Sequence, residues 1–192
     1  MTEEQSSELR EISLSRCASL RAFVHDGDLL LFRRRGLISI AGRSPYSHAA
    51  MIGWWGHDPM LIEVVPWHGG RTVTLESQVG RYPGKYELFR PGEVLKPAVS
   101  VQCMRSLCDG RYGYIGVMHA SMLHLPVIRG FVPASTDDNA ISKRPPFCSQ
   151  AISWAYRTGG GVDPVARLSD RITEPGDLAR STLFRSMGVL VP

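Results

Sequence analysis

Residues 46–65, YSHAAMIGWWGHDPMLIEVV, consist of two apolar runs separated by a Gly-His-Asp-Pro turn, and their reading decides the fold. Strand periodicity places His48, Ala50 and Ile52 on one face and Ala49 and Met51 on the other. The second run carries one carboxylate, Glu63, among aliphatic residues, where an unpaired charge would be costly to bury. The loop sets the register. If Gly53 stands opposite Asp58 around residues 54–57, His48 faces Glu63 with Cβ atoms about 4.5–5.5 Å apart. If the loop is residues 56–59, His48 faces Trp67 and the two polar residues are separated. The sequence admits both registers.

Working outward, HDGDLLLFRRR (25–35) predicts a turn at Asp26-Gly27 followed by a short strand over 29–32. RTVTLES (71–77) and YELFRP (86–91) predict two further strands, so the middle of the chain reads as a meander. Helices are expected at the ends. Residues 1–24 carry Leu9, Ile12, Leu14, Leu20 and Phe23 among charges and read as a helical segment, while VSVQCMRSLCDG (99–110) reads as a helix stopped by Gly110. MHASMLHL (118–125) has helical character, and FVPASTDDNAISKRPP (131–146) reads as a long surface loop. The fold class is α+β, with a central antiparallel sheet packed against helices, in one domain spanning 1–192.

In RPPFCSQAISWAYR (144–157), two prolines impose an extended approach, then Ala151, Ile152, Ala155 and Tyr156 recur at helical spacing up to the glycines 159–161. Cys148 therefore stands in the first turn of a helix. Unpaired N–H groups and the positive end of the dipole stabilise a thiolate there.

Composition narrows the function classes. A chain of 192 residues, 43% hydrophobic and 21% charged, suits one globular domain. The net charge of +4 is scattered, and its densest run, Arg33-Arg34-Arg35, reads as a solvated turn rather than a nucleic-acid interface. The N-terminus is polar and acidic, unlike a secretory signal, and no run of ~18 apolar residues predicts a membrane span, so synthesis in the cytoplasm is expected. Four cysteines in a chain of this length point to thiols rather than a disulfide scaffold. Cys103, Cys108, His119 and His124 approach a zinc-finger spacing, but the central gap is wrong and two helical cysteines five residues apart point in different directions. TGGGVDP (158–164) follows a helix instead of opening one, so it is a stop and not a phosphate loop.

GDLLLF, SHAAMIG and LIEVV together resemble the ordered "GDLvfF", "SHvgIylG" and "fIHa" segments of NlpC-type papain-like peptidases, with Glu63 in the third polar position. DGRYGYIG resembles the "GtpYxwGG" segment and FCSQAISWAYR the "DCSGlv" nucleophile helix. In the ordinary family those two segments come first; here they come last, as in the circularly permuted YiiX-like amidases and, more distantly, the lecithin retinol acyltransferase group. The resemblance covers residues 26–157. It implies Cys148 as nucleophile, His48 as general base and acid, Glu63 as the group orienting the imidazole, and Tyr112 as a residue positioning the acyl oxygen. Ser149 and Gln150 depart from the usual "SG", which bears on the substrate pocket more than on the chemistry. The backbone N–H of Cys148 is the expected oxyanion donor. No cofactor or metal is implied. The expected partner is a small acyl-peptide substrate such as a peptidoglycan stem peptide. Two other readings keep the fold: an acyltransferase or lipid thioesterase, which an apolar groove beside Cys148 would favour, and a binding module with an inert site.

Overall fold

The computed structural model describes residues 11–13, 17–34, 39, 43–65, 68–108 and 146–191. Its elements in chain order are β1 (Glu11–Ser13), α1 (Cys17–Phe23), β2 (Leu29–Arg33), β3 (Tyr46–Trp55), β4 (Asp58–Val65), β5 (Gly69–Thr74), α2 (Leu75–Arg81), β6 (Tyr86–Pro91), α3 (Pro97–Arg105), α4 (Cys148–Ala155), α5 (Pro175–Arg180) and β7 (Phe184–Val191). The strands form a seven-stranded sheet in the order β1-β7-β6-β2-β3-β4-β5. Strands β2 to β7 pair antiparallel, and β1 joins β7 in parallel.

Consecutive apolar residues in β2 are explained by helices on both faces of the sheet. Leu29 and Leu31 join Ala49, Met51, Ile62 and Val64 in a core closed by Val101 and Met104 of α3 and Ala151 and Ile152 of α4. Leu30 points the other way, with Ala50, Ile52 and Leu61, against Leu20 of α1 and Leu75 and Val79 of α2. The period of two read from residues 46–65 therefore divides the strand as expected.

Several expectations are corrected. The meander holds for β2-β3-β4-β5, but β6 crosses to the far side of β2. The segment LES of RTVTLES begins α2, with Thr74 as its extended N-cap. The N-terminal segment contributes β1 as well as α1, and the C-terminal end supplies β7, the longest partner of β6. Residues 109–145, including Tyr112, the DGRYGYIG segment, His119, His124 and the expected loop, lie outside the described residues.

The hairpin turn is tighter than either expected register. Trp55 pairs with Asp58 around Gly56 and His57, and Gly56 has φ +59°, the left-handed value demanded at the first central position of a type II′ turn. The ladder runs from there to Met51–Ile62 and ends. Continued, it would set Val65 opposite His48 and make His48 and Glu63 diagonal neighbours on one face rather than direct partners. Diagonal neighbours ~7–8 Å apart remain within reach of long side chains.

Candidate active site

The cysteine helix is held from both ends. Phe147 is its N-cap in extended conformation, with no side-chain cap hydrogen bond, so Cys148 is the first helical residue as the sequence predicts. The Ser149 hydroxyl donates to the Thr173 carbonyl at 2.7 Å, which anchors the first turn. At the other end the helix widens into a π turn over Tyr156–Gly160 and closes at Gly161 with φ +77°. The fully buried Tyr156 hydroxyl donates to the Gly27 carbonyl. Gly27 is itself tied to β3 through its N–H to the Ile52 carbonyl at 2.8 Å, so the far end of the helix is joined to the β2–β3 pair.

Cys148, 4% exposed, hydrogen-bonds the His48 ring. His48 Nε2 lies 2.7 Å from Glu63 Oε2, which leaves Nδ1 as the nitrogen facing sulfur. Glu63 is buried, and its other oxygen, Oε1, accepts from Arg71 Nε at 2.9 Å and Nη2 at 2.6 Å. The structure thus brings Cys148, His48 and Glu63 into one chain of contacts and adds Arg71, which sequence reading missed. Arg71 faces Glu63 directly across β4–β5. The signal was present: a carboxylate buried on an apolar strand needs more than one neutralising donor, and Arg71 opens the strand expected next to it.

Electrostatics follow from this geometry. Burial alone would push the Cys148 thiol up, but the His48 charge, its hydrogen bond and the backbone N–H groups of Ala49 and Ser149 outweigh it and hold the thiol below its ordinary value. Burial alone would push the His48 imidazole down. The Cys148 thiolate and the Glu63 carboxylate overcome it and hold the imidazole up at about 10. Burial would raise Glu63, whereas His48 and Arg71 keep it below the usual carboxylate value. Between these limits the favoured resting pair is thiolate and imidazolium. The Ala49 N–H reaches the sulfur because the β3–β4 ladder stops at Met51, leaving the end of β3 without a partner on that side.

The other candidates stand apart. Cys103 and Cys108 are half-buried and packed at the edge of the core, and burial raises the Cys103 thiol. Arg33 ends β2 and the exposed Arg34 follows it; both line a cleft, and Arg35 lies outside the described residues. Among the described residues, no helix is long and apolar enough to cross a membrane.

No family model matches the chain, and no curated protein matches it. Among solved structures, the metalloprotein YiiX of Escherichia coli O157:H7, of the DUF1105 group, is similar over 88% of this chain and 98% of its own, with a TM-score of 0.53 and 16% sequence identity. The chain shares the fold of YiiX. That likeness concerns the arrangement of sheet and helices alone. The YiiX structure is described as that of a metalloprotein; among the described residues here, no three His, Cys, Asp or Glu side chains come together as a metal-ligand set.

Proposed function

We propose that the chain is a cysteine hydrolase that cleaves an amide or peptide bond through a thioester, on a single permuted papain-like domain. The observation that carries this reading is the His48 imidazole held between the Cys148 sulfur and the Glu63 carboxylate, with the thiol lowered and the imidazole raised. A structural cysteine has no use for that arrangement, whereas a nucleophile needs the thiolate and a proton donor for the leaving group.

The thiolate attacks the carbonyl carbon, and the oxyanion develops beside the uncapped N-terminus of α4, where the Cys148 N–H is the donor. Collapse expels the amine, which takes a proton from the imidazolium and leaves the acyl group on sulfur. Neutral His48 then removes a proton from water, the hydroxide attacks the thioester, and the carboxylic acid departs as the thiolate and imidazolium are restored. Glu63 keeps the ring oriented and stabilises its charge, and Arg71 fixes Glu63. Tyr112 keeps its proposed role of positioning the acyl oxygen. The substrate class is a small acyl-peptide, with peptidoglycan stem peptides the first to try.

The test is labelling with an iodoacetamide probe at neutral pH, followed by hydrolysis of a panel of acyl-peptide amides. Selective labelling of Cys148, and turnover lost in Cys148→Ala, support the reading. A folded protein in which Cys148 stays unlabelled while Cys103 reacts would make the chain a binding module instead.

A further inference from the structure

Beside the site lies a cleft of about 990 Å³, lined by Phe32, Arg33, Arg34, Arg43, Tyr82 and Lys85 together with three small residues of the turn before β3. Its volume suits a small organic ligand. Backbone hydrogen bonds assemble it from three separate segments: Arg33 N–H to the Lys85 carbonyl at 2.7 Å, Arg34 N–H to the Pro45 carbonyl at 3.1 Å, and Ser44 N–H to the Ser39 carbonyl at 3.0 Å. Arg43 is held at φ +47°, a left-handed conformation that a non-glycine residue adopts at a cost.

The charges are unbalanced. Four cationic side chains line the cleft, and no carboxylate is among its described lining residues; Glu87, 4.0 Å from Arg33, is already engaged by the Tyr46 hydroxyl at 2.6 Å and the Ser186 hydroxyl at 2.8 Å. Among the described residues, no carboxylate pairs with Arg34, Arg43 or Lys85. Four like charges gathered on aromatic walls, with no acid among the described lining residues, are matched by a ligand carrying at least two negative charges. Guanidinium groups present the forked donors that suit phosphate oxygens. The cleft lies next to the strand that carries the candidate base, because Phe32, one of its walls, is the cross-strand partner of His48.

We propose that this cleft binds a phosphate ester group of the substrate and so places its acyl bond at Cys148. The proposal rests on the hydrolase reading for its consequence but not for its test, since binding can be measured without turnover. Calorimetric titration of Cys148→Ala with phenyl phosphate and with benzoate separates a dianion from a carboxylate. Phenyl phosphate should bind, and the double variant Arg34→Gln, Arg43→Gln should weaken it about tenfold or more, with an unchanged unfolding midpoint. Glucose 1-phosphate and monomeric dihexanoyl phosphatidic acid then distinguish a soluble ester from a lipid headgroup, and binding of either assigns the source. Equal binding of benzoate and phenyl phosphate, equal affinity in the double variant, or no binding of any ester would overturn the proposal. If esters bind while Cys148 proves unreactive, the hydrolase reading fails and the cleft stands. If Cys148 reacts and no ester binds, the cleft fails alone.

Discussion

Glu63→Gln is the substitution that tests the site most directly. The carboxylate is 3% exposed and stands 2.7 Å from His48 and 2.6 Å from Arg71. At an effective dielectric of about 20, unit charges about 4 Å apart attract by ~4 kcal/mol, and removing one member of a buried pair costs ~3–5 kcal/mol. Two features reduce this. The Arg71 side chain is 34% exposed, so water screens that pair toward the ~0–1 kcal/mol of surface bridges, and the amide oxygen of Gln still accepts one hydrogen bond. The expected loss is therefore ~2–3 kcal/mol in urea unfolding, read as a lower midpoint at constant slope. Glu63→Ala should lose more, because it also leaves the ring without an orienting partner.

The same substitution has a kinetic signature that a purely structural role would lack. Without the carboxylate the imidazolium loses support, so the His48 value falls from about 10 and the Cys148 thiol rises with it. The pH profile of iodoacetamide inactivation should move to higher pH in Glu63→Gln, and acyl-peptide turnover should drop by less than in Cys148→Ala. A stability change below ~0.5 kcal/mol together with an unmoved profile would refute the stabilisation of the imidazolium by Glu63, since that is the range of ordinary surface substitutions.

Other outcomes follow from the same geometry. Cys148→Ala should abolish probe labelling and turnover at little cost in stability, while Cys103→Ala and Cys108→Ala should keep both. His48→Ala should raise the pH at which Cys148 becomes reactive toward that of a free thiol, and an unchanged inactivation profile would exclude His48 as the partner. Gly70→Ala should destabilise the fold measurably by urea unfolding, because its Cβ would lie 1.9 Å from the Leu107 carbonyl oxygen, contact with backbone that no rotamer can relieve. Stability against pH should be flat, as far as this pair is concerned, between about 6.5 and 9: the folded pair holds its single proton on His48, and the unfolded chain holds one on Cys148. Below 6.5 the unfolded chain binds the extra proton, and above 9 the folded state retains one that the unfolded chain has lost, so the pair's contribution falls on both sides and is gone on the alkaline side above about 10. A monotonic slope across the plateau that disappears in His48→Ala would contradict the ion pair.

Much of this was legible in the chain because burial imposes periodicity. The parity of Ala49 and Met51 against Ala50 and Ile52 could be read from residues 46–65, since each face meets a different layer of helices. The start of α4 near Cys148 was legible because the consecutive Pro145 and Pro146 favour an extended approach and helical spacing begins after them. Register was not, because Gly56-His57 makes as good a turn as the longer loops and hydrophobic alternation is the same for any shift of two residues. Strand β7 was hidden by its sequence, FRSMGVLV, in which a glycine and polar residues break the alternation, and the Leu88–Phe89 irregularity in its pairing with β6 shows the same break from the other side.

The register that sequence could not choose also explains how a sheet can carry chemistry. A fully paired β3–β4 hairpin would commit the Ala49 N–H to the ladder and leave the sulfur only the helix's own donors. With the two-residue turn, pairing is spent near Trp55–Asp58 and lapses beyond Met51–Ile62, so the strands can part where His48 and Glu63 stand. The lost ladder bonds are replaced: Ala49 donates to sulfur, Glu63 joins His48 to Arg71, and Arg71 returns the charge to β5, where the ladder is intact. The polar chain thus does the work of the missing backbone bonds. It follows that neutralising Glu63 should loosen the end of the hairpin as well as the imidazole, and faster amide exchange at Ala49 in Glu63→Gln than in the unsubstituted chain, with Ile52 unchanged, would mark that coupling.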